Sequence, residues 1–350
     1  MNRFMRHIGF STLMLAVFLL TLSSCEHKEL YMIDSNLVKV MVNFDYTNVD
    51  RTPSAMRVLF YPIKADSVST DSPLMFDLNG TGGYVNVPVG DYKVLSYNVD
   101  NENIIEVNDN DFDNFRLTTS STQIDVDYNS GGEQARMRSL FGQNLPKAEG
   151  EKEYLLYDEP DWTCRCFCER FHIDPSTSTT RTEDNTQPEQ TPSLTLTAEP
   201  ALYTMEFDVT GVEGLSRASF VRATVSGVAA SYSMATGRAS SETGMVSFVC
   251  KIDVENQIVT GTVRLWGYQP ENTDDLQEFL NVYIWSSGGN YYFTNDITDK
   301  LTEATEEGSK NRSFHFNIEA HLDLTQGAVG DSGFQPTVGD WGNVYEDIHF

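Results

Sequence analysis

The sequence predicts an all-β protein built of antiparallel sandwiches, and three observations carry that expectation. Apolar and polar residues alternate with a period of two in both halves of the chain. The strand-like runs are short and closely spaced, and turn-forming residues separate them. Apolar residues make up 40% of the chain and aromatic ones 11%, enough to fill real cores. At 350 residues the chain is long enough for two ordinary domains or one large one. Its formal charge is −27, from 24 basic and 51 acidic residues. A body that acidic repels phosphate backbones and anionic head groups, which disfavours nucleic acid as a partner and keeps the protein soluble.

The first element is an export signal. Arg3, Arg6 and His7 form a short basic region, and Ile8 to Leu22 is an apolar run. That run is too short to span a bilayer comfortably and ends in the small residues Ser23 and Ser24. Leu22-Ser23-Ser24-Cys25 resembles the bacterial lipobox. Cleavage would remove residues 1–24 and leave Cys25 first, its thiol alkylated by diacylglycerol and its new amine acylated. The bland alternative is an ordinary signal peptide with a chance cysteine, but leucine at −3 and serine at −1 both fit lipidation. Several acyl chains anchor firmly where one does not. The expectation is a membrane partner reached through lipid on Cys25, with residues 25–35 as a tether.

The strands follow in order. Val38, Val40, Val42, Phe44 and Tyr46 alternate with Lys39, Met41, Asn43 and Asp45, a half-buried strand. Met56 to Ile63 is a second apolar segment. Tyr84 to Val87, then Pro88-Val89-Gly90-Asp91, then Tyr92 to Tyr97 read as strand, tight turn, strand. Phe115–Ser121 and Thr122–Tyr128 are weaker strands. Residues 174–193 hold no aliphatic or aromatic side chain apart from their prolines, so they bury no face and read as a polar linker or loop. This sets expected domains at 36–173 and 194–350. In the second part, Tyr203–Val209, Val221–Val225, Val246–Ile252, Val259–Leu265, Phe279–Trp285 and Phe314–Leu322 repeat the strand pattern. A short helix is expected near Asp299–Glu307.

Chemistry is sparse. Cys164, Cys166 and Cys168, with His172, make the right ligand types for zinc or copper. On a strand, however, successive same-face side chains stand ~6.5–7 Å apart. Sulfurs on one zinc ion, with bonds of ~2.3 Å, must lie about 4 Å apart. The reading is therefore no metal and no cofactor, with Trp162 and the three cysteines facing a core. A disulfide among Cys164, Cys166, Cys168 and Cys250 suits an oxidising compartment better than a metal does. Asp109, Asp111 and Asp113 sit at the first three ligand positions of an EF-hand-like run. Asn114 and Ser120 then stand where the turn glycine and bidentate glutamate belong, so a solvated acidic loop is expected. His315 and His321 lie about 20 Å apart along one strand and cannot share an ion. No nucleophile elbow, H-E-x-x-H, P-loop or dinucleotide fingerprint occurs. Trp266, Trp285 and Trp341, with Tyr291 and Tyr292, form the only sugar-stacking platform the sequence suggests, and aromatic residues on strands more often fill cores.

Ser24-Cys25-Glu26-His27-Lys28-Glu29-Leu30 and the strand Val38 to Tyr46 resemble the start of a fimbrillin-like lipoprotein family of Bacteroidota. Pro88 to Asn98 is similar to that family's first-domain hairpin. Leu202 to Val209, Ala223 to Val228, Asp296 to Asp299, Trp341 and Ile348-His349-Phe350 resemble its second domain. The mix of Glu26, Lys28 and Glu29 after the cysteine also resembles surface-exported lipoproteins. The resemblance implies two tandem β-sandwich domains and a non-enzymatic, structural or adhesive role in fimbria assembly or anchoring. It implies an outer-membrane position facing the cell surface, and fimbrial subunits as partners by strand exchange. The cysteine cluster and the polar insert depart from the family pattern. The rival expectation is a glycan-binding surface lipoprotein of a nutrient-uptake system, and a surface hydrolase ranks last.

Overall fold

The computed structural model describes residues 37–64, 67–68, 72–122, 148–174, 191–267, 277–306, 312–325 and 334–336. The export signal, Cys25, the tether and Trp341 lie outside them. The first strands are β1 (Leu37–Asp45), β2 (Ala55–Lys64), β3 (Ser67–Val68), β4 (Leu74–Asn79), β5 (Gly83–Pro88) and β6 (Gly90–Asn98). Next come β7 (Ile105–Val107), β8 (Arg116–Thr118), β9 (Ser121–Thr122), β10 (Leu156–Tyr157), β11 (Cys164–Ile173) and β12 (Ser193–Pro200). The later strands are β13 (Tyr203–Glu213), β14 (Ala218–Ala229), β15 (Ser231–Ser233), β16 (Arg238–Ala239), β17 (Thr243–Val249) and β18 (Lys251–Asp253). They end with β19 (Ile258–Leu265), β20 (Phe279–Ser286), β21 (Gly289–Asp296), β22 (Ser313–Asp323) and β23 (Phe334–Pro336), and helix α1 (Thr298–Glu306) stands before β22. The protein is all-β, and α1 falls one residue from its expected place.

The period-two pattern explains the first core. Val38, Val40 and Val42 of β1, Met56, Val58 and Phe60 of β2, Val85 and Val87 of β5, and Val94 of β6 are all buried in one cluster. The strands run β3-β2-β6-β11-β12-β1-β5, with β4 also on β2. Strand β12 joins the two layers. Its first residues pair in parallel with β1 and its last antiparallel with β11. Burying these apolar side chains stabilises the fold by about 1.5–3 kcal/mol each before chain entropy is subtracted.

A second core lies between β23-β21-β20-β14-β17-β10-β9 and β18-β19-β13-β22. Met205, Phe207 and Val209 of β13 face Val221, Ala223 and Val225 of β14 across it. Gly261 on β19 sits directly opposite Phe207 on β13, where a side chain would collide with the ring. A third apolar layer joins the two cores. Leu59, Tyr61, Leu95 and Tyr97, on the other face of β2 and β6, pack with Phe112, Phe115, Tyr232 and Trp266. The strand set β16-β15-β8-β7 belongs to this layer.

Three expectations are corrected by the strand pairing. The polar insert does not divide the chain into domains, because β11 before it and β12 after it are neighbours in one sheet. The crossing to the second core falls at Ala201–Leu202, both buried. The expected N-terminal unit 36–173 also gives strands away: β8 pairs with β15, and β10 pairs with β17. Finally, the Pro88–Asp91 turn closes no hairpin. Strand β5 pairs with β1, while β6 pairs with β2 and β11, so the turn carries the chain from one layer to the other.

Candidate functional site

The cysteine strand was the sequence's most unusual chemistry. Cys164 and Cys166 are buried in the first core, and Trp162 and Cys168 pack against it half-buried. The alternation expected from the sequence therefore holds. A register shift between Cys168 and Phe171 then turns Phe171 and Ile173 to that core. His172 is left on the surface, with Nδ1 3.0 Å from Asp91 and Nε2 3.5 Å from Asp174. The carboxylates raise its pKa, Asp91 most. His172 is thus not gathered with the thiols, and no group of three metal-ligating side chains forms among the described residues. All four described cysteines are free thiols, so the expected disulfide is not formed in this structure. Burial pushes Cys164 and Cys250 up to about 12 and Cys166 well above its usual value. Such thiols stay protonated and inert.

The opposite face of the same strand holds a residue the sequence reading missed. Arg165 is buried between the cores, where Nε donates to Met234 O at 2.6 Å and Nη2 to Ala235 O at 3.1 Å. Its guanidinium lies 4.9 Å from the Phe167 ring centroid. Gly237 makes room: its φ is +69°, and a Cβ there would stand 3.0 Å from Arg165 Nη1. Burial lowers the arginine's pKa, and bonds to two carbonyl oxygens offset that cost. The only sequence signal was an arginine out of phase with three core cysteines.

The acidic run does not assemble a calcium site either. Asp111 caps a short 3-10 turn, accepting from Asp113 N at 3.2 Å and from Asn114 Nδ2 at 2.7 Å. The turn drives Phe112 against Tyr61 and Phe167 in the joining layer. His315 pairs with Asp208 at 3.2 Å, while His321 lies nearest Glu319 at 3.9 Å. Trp266, Trp285, Tyr291 and Tyr292 are buried, so these four offer no stacking platform.

What the fold does offer is sheet edge. Strand β22 ends the four-stranded sheet, pairing in parallel with β13 on one side. Among the described residues its other side has no strand partner. Pairing is regular from Ser313 to Glu319, and a bulge follows beside Gly211. Phe314, Phe316 and Ile318 anchor the strand in the core, while its polar side chains face out. By contrast, β1 is held on both sides, by β12 and β5.

These features define a class: an all-β sandwich protein whose distinctive surfaces are strand edges, its described thiols free and its described histidines each beside a separate carboxylate. The chain belongs to the family described as Domain of unknown function (DUF5119), whose model matches residues 24–248. Over 101 residues it is 33% identical to a Bacteroides ovatus protein named "Putative fimbrium anchoring subunit Fim4B". That stretch spans 29% of each chain. A crystal structure of a "putative adhesin" from Bacteroides ovatus superposes with a TM-score of 0.52 at 19% identity, covering 76% of this chain and 85% of the other. This likeness establishes a shared fold. The "fimbrial anchor protein Mfa2" from Porphyromonas gingivalis gives a TM-score of 0.45 at 11% identity, over 81% of this chain and 91% of that one.

Proposed function

We propose that this protein is a non-enzymatic component of a fimbrial or adhesive system at the cell surface, acting in fimbria assembly or anchoring. It is held on the outer membrane by lipid on Cys25 and meets fimbrial subunits through β-strand pairing. The observation that carries the reading is the partial identity with a fimbrium anchoring subunit, on a fold shared with an adhesin. The open side of β22 supports it, because an incoming strand satisfies backbone donors and acceptors that an edge leaves to solvent. Since β1 is paired on both sides, the chain is better suited to accept a neighbour's strand than to give up its own. A lipid at one end of the chain fixes the base from which a fimbria would extend.

The test is crosslinking on intact cells followed by mass spectrometry. Recovery of fimbrial subunits, with crosslinks near β22, is the expected result. Recovery of a glycan importer alone would refute the reading. Cys25→Ser should abolish acyl labelling and release or misprocess the protein; a variant still labelled and membrane-bound would place the anchor elsewhere.

A further inference from the structure

A cavity of about 300 Å³ opens where the chain crosses between the two cores. Ligand sites favour such junctions, and this volume lies at the low end of their usual range of about 300–1,000 Å³. The N-terminal strands and their loops contribute Asp50 and Trp162. The C-terminal strands contribute Thr204, Glu206, Arg264 and Ser313. Trp162 is the one described tryptophan that remains partly exposed. Buried Leu202 adds a further apolar patch to the wall.

The polar groups narrow the chemistry of an occupant. Arg264 is fixed by Glu159, whose Oε1 accepts from its backbone N at 3.2 Å and from its Nε at 3.0 Å. That bracing leaves the two terminal nitrogens of Arg264 without a protein partner among the described residues. The cavity thus presents carboxylate acceptors on Asp50 and Glu206, guanidinium donors on Arg264, and hydroxyls on Thr204 and Ser313 that do both. An apolar ligand would strand these groups unpaired. An anion would meet two carboxylates, a guanidinium already neutralised by Glu159, and a chain of charge −27. A cation would pair with the two carboxylates but leave the terminal N–H donors of Arg264 unsatisfied. A polyol with an apolar C–H face supplies donors, acceptors and a surface for the indole together.

We infer that this junction cavity is a binding site for a neutral saccharide. The hydroxyls meet Asp50, Glu206 and Arg264, and the sugar's C–H face meets Trp162. The exposed Arg51 guanidinium now lies over that indole, 4.7 Å from the ring centroid. That surface cation–π contact is weak, and a sugar stacking on the indole would have to displace it. The inference stands apart from the fimbrial reading, because the site is complete within one chain.

The experiment screens the full-length protein, purified in detergent, against an array of neutral, anionic and cationic oligosaccharides. Calorimetric titration with the strongest neutral probe follows. The expected result is binding of a neutral oligosaccharide, weakened roughly tenfold or more by Glu206→Ala and again by Arg264→Ala, since each removes hydrogen bonds to a charged group. Glu206 is exposed, so its variant should keep the wild-type melting temperature. A second variant, Asp50→Ala, probes the opposite wall. Binding to charged probes alone, no binding to any neutral probe, or affinity unchanged in an Asp50→Ala/Glu206→Ala double variant would overturn the inference. None of these outcomes bears on the crosslinking result.

Discussion

Gly261→Ala tests the packing of the second core at one atom. Gly261 faces Phe207 across the β13–β19 pair, and it is not among the residues with positive φ. At such a backbone position alanine normally stabilises by about 0.4–1 kcal/mol, because it restricts the unfolded chain. Here a Cβ would stand 2.1 Å from Phe207 Cζ and 2.3 Å from Cε1. The ring must therefore retreat by more than ~1 Å to reach ordinary contact. It has nowhere to go: Phe207 is wholly buried, with Phe248 and Phe316 each 6.0 Å away between ring centroids. Overpacking costs about 1–3 kcal/mol. Expelling the ring approaches the ~3–5 kcal/mol of a phenylalanine truncation. A net loss of about 2–4 kcal/mol is expected. Equilibrium urea unfolding, followed by tryptophan fluorescence, measures it. Adding Phe207→Leu should recover part of the loss, a non-additivity that marks direct contact. A neutral or stabilising Gly261→Ala would refute the packing described for this core.

Three further outcomes are expected. Glu278 is buried, and no donor is well placed on either carboxylate oxygen; burial pushes its pKa up to about 7, with Thr298 opposing the rise and Asp296 adding to it. The folded state favours its neutral form, so this stability is complete below about pH 4.5 and is lost as pH rises through about 7, up to ~3 kcal/mol. Glu278→Gln should flatten that decline, and urea midpoints at pH 5 and pH 8 that fall equally in both proteins would contradict it. Among the described thiols, Cys168 should react first with a thiol reagent in the native protein, while Cys164, Cys166 and Cys250 wait for unfolding; mass mapping of the alkylated peptides reads the order. A protease site inserted between residues 175 and 190 should, once cut, leave two fragments that co-elute on gel filtration, since β11 and β12 stay paired; fragments that separate would restore the boundary expected from composition.

The sequence by itself determined which residues face a core. Period-two alternation placed Val38, Val40 and Val42, the cysteines at 164 and 166, and Met205, Phe207 and Val209 on buried faces, and all of them are buried. That signal is local, because a side chain's direction depends only on its own strand's pleat. Pairing is not local, and only the tertiary structure decided it. The turn at Pro88–Asp91 serves a hairpin or a crossing between layers equally well, and the choice rests with β1, β2 and β11. Strand β12 follows a polar insert that reads as a boundary, yet its Leu194, Leu196 and Ala198 complete the first core. Arg165 is out of phase with the core cysteines, and only the fold brings it the carbonyl oxygens of Met234 and Ala235 from far along the chain. The junction cavity, too, draws residues from position 48 to position 313, a grouping no spacing encodes. Alternation specifies the face of each strand; the neighbour across its backbone hydrogen bonds is chosen only when distant apolar surfaces are buried together.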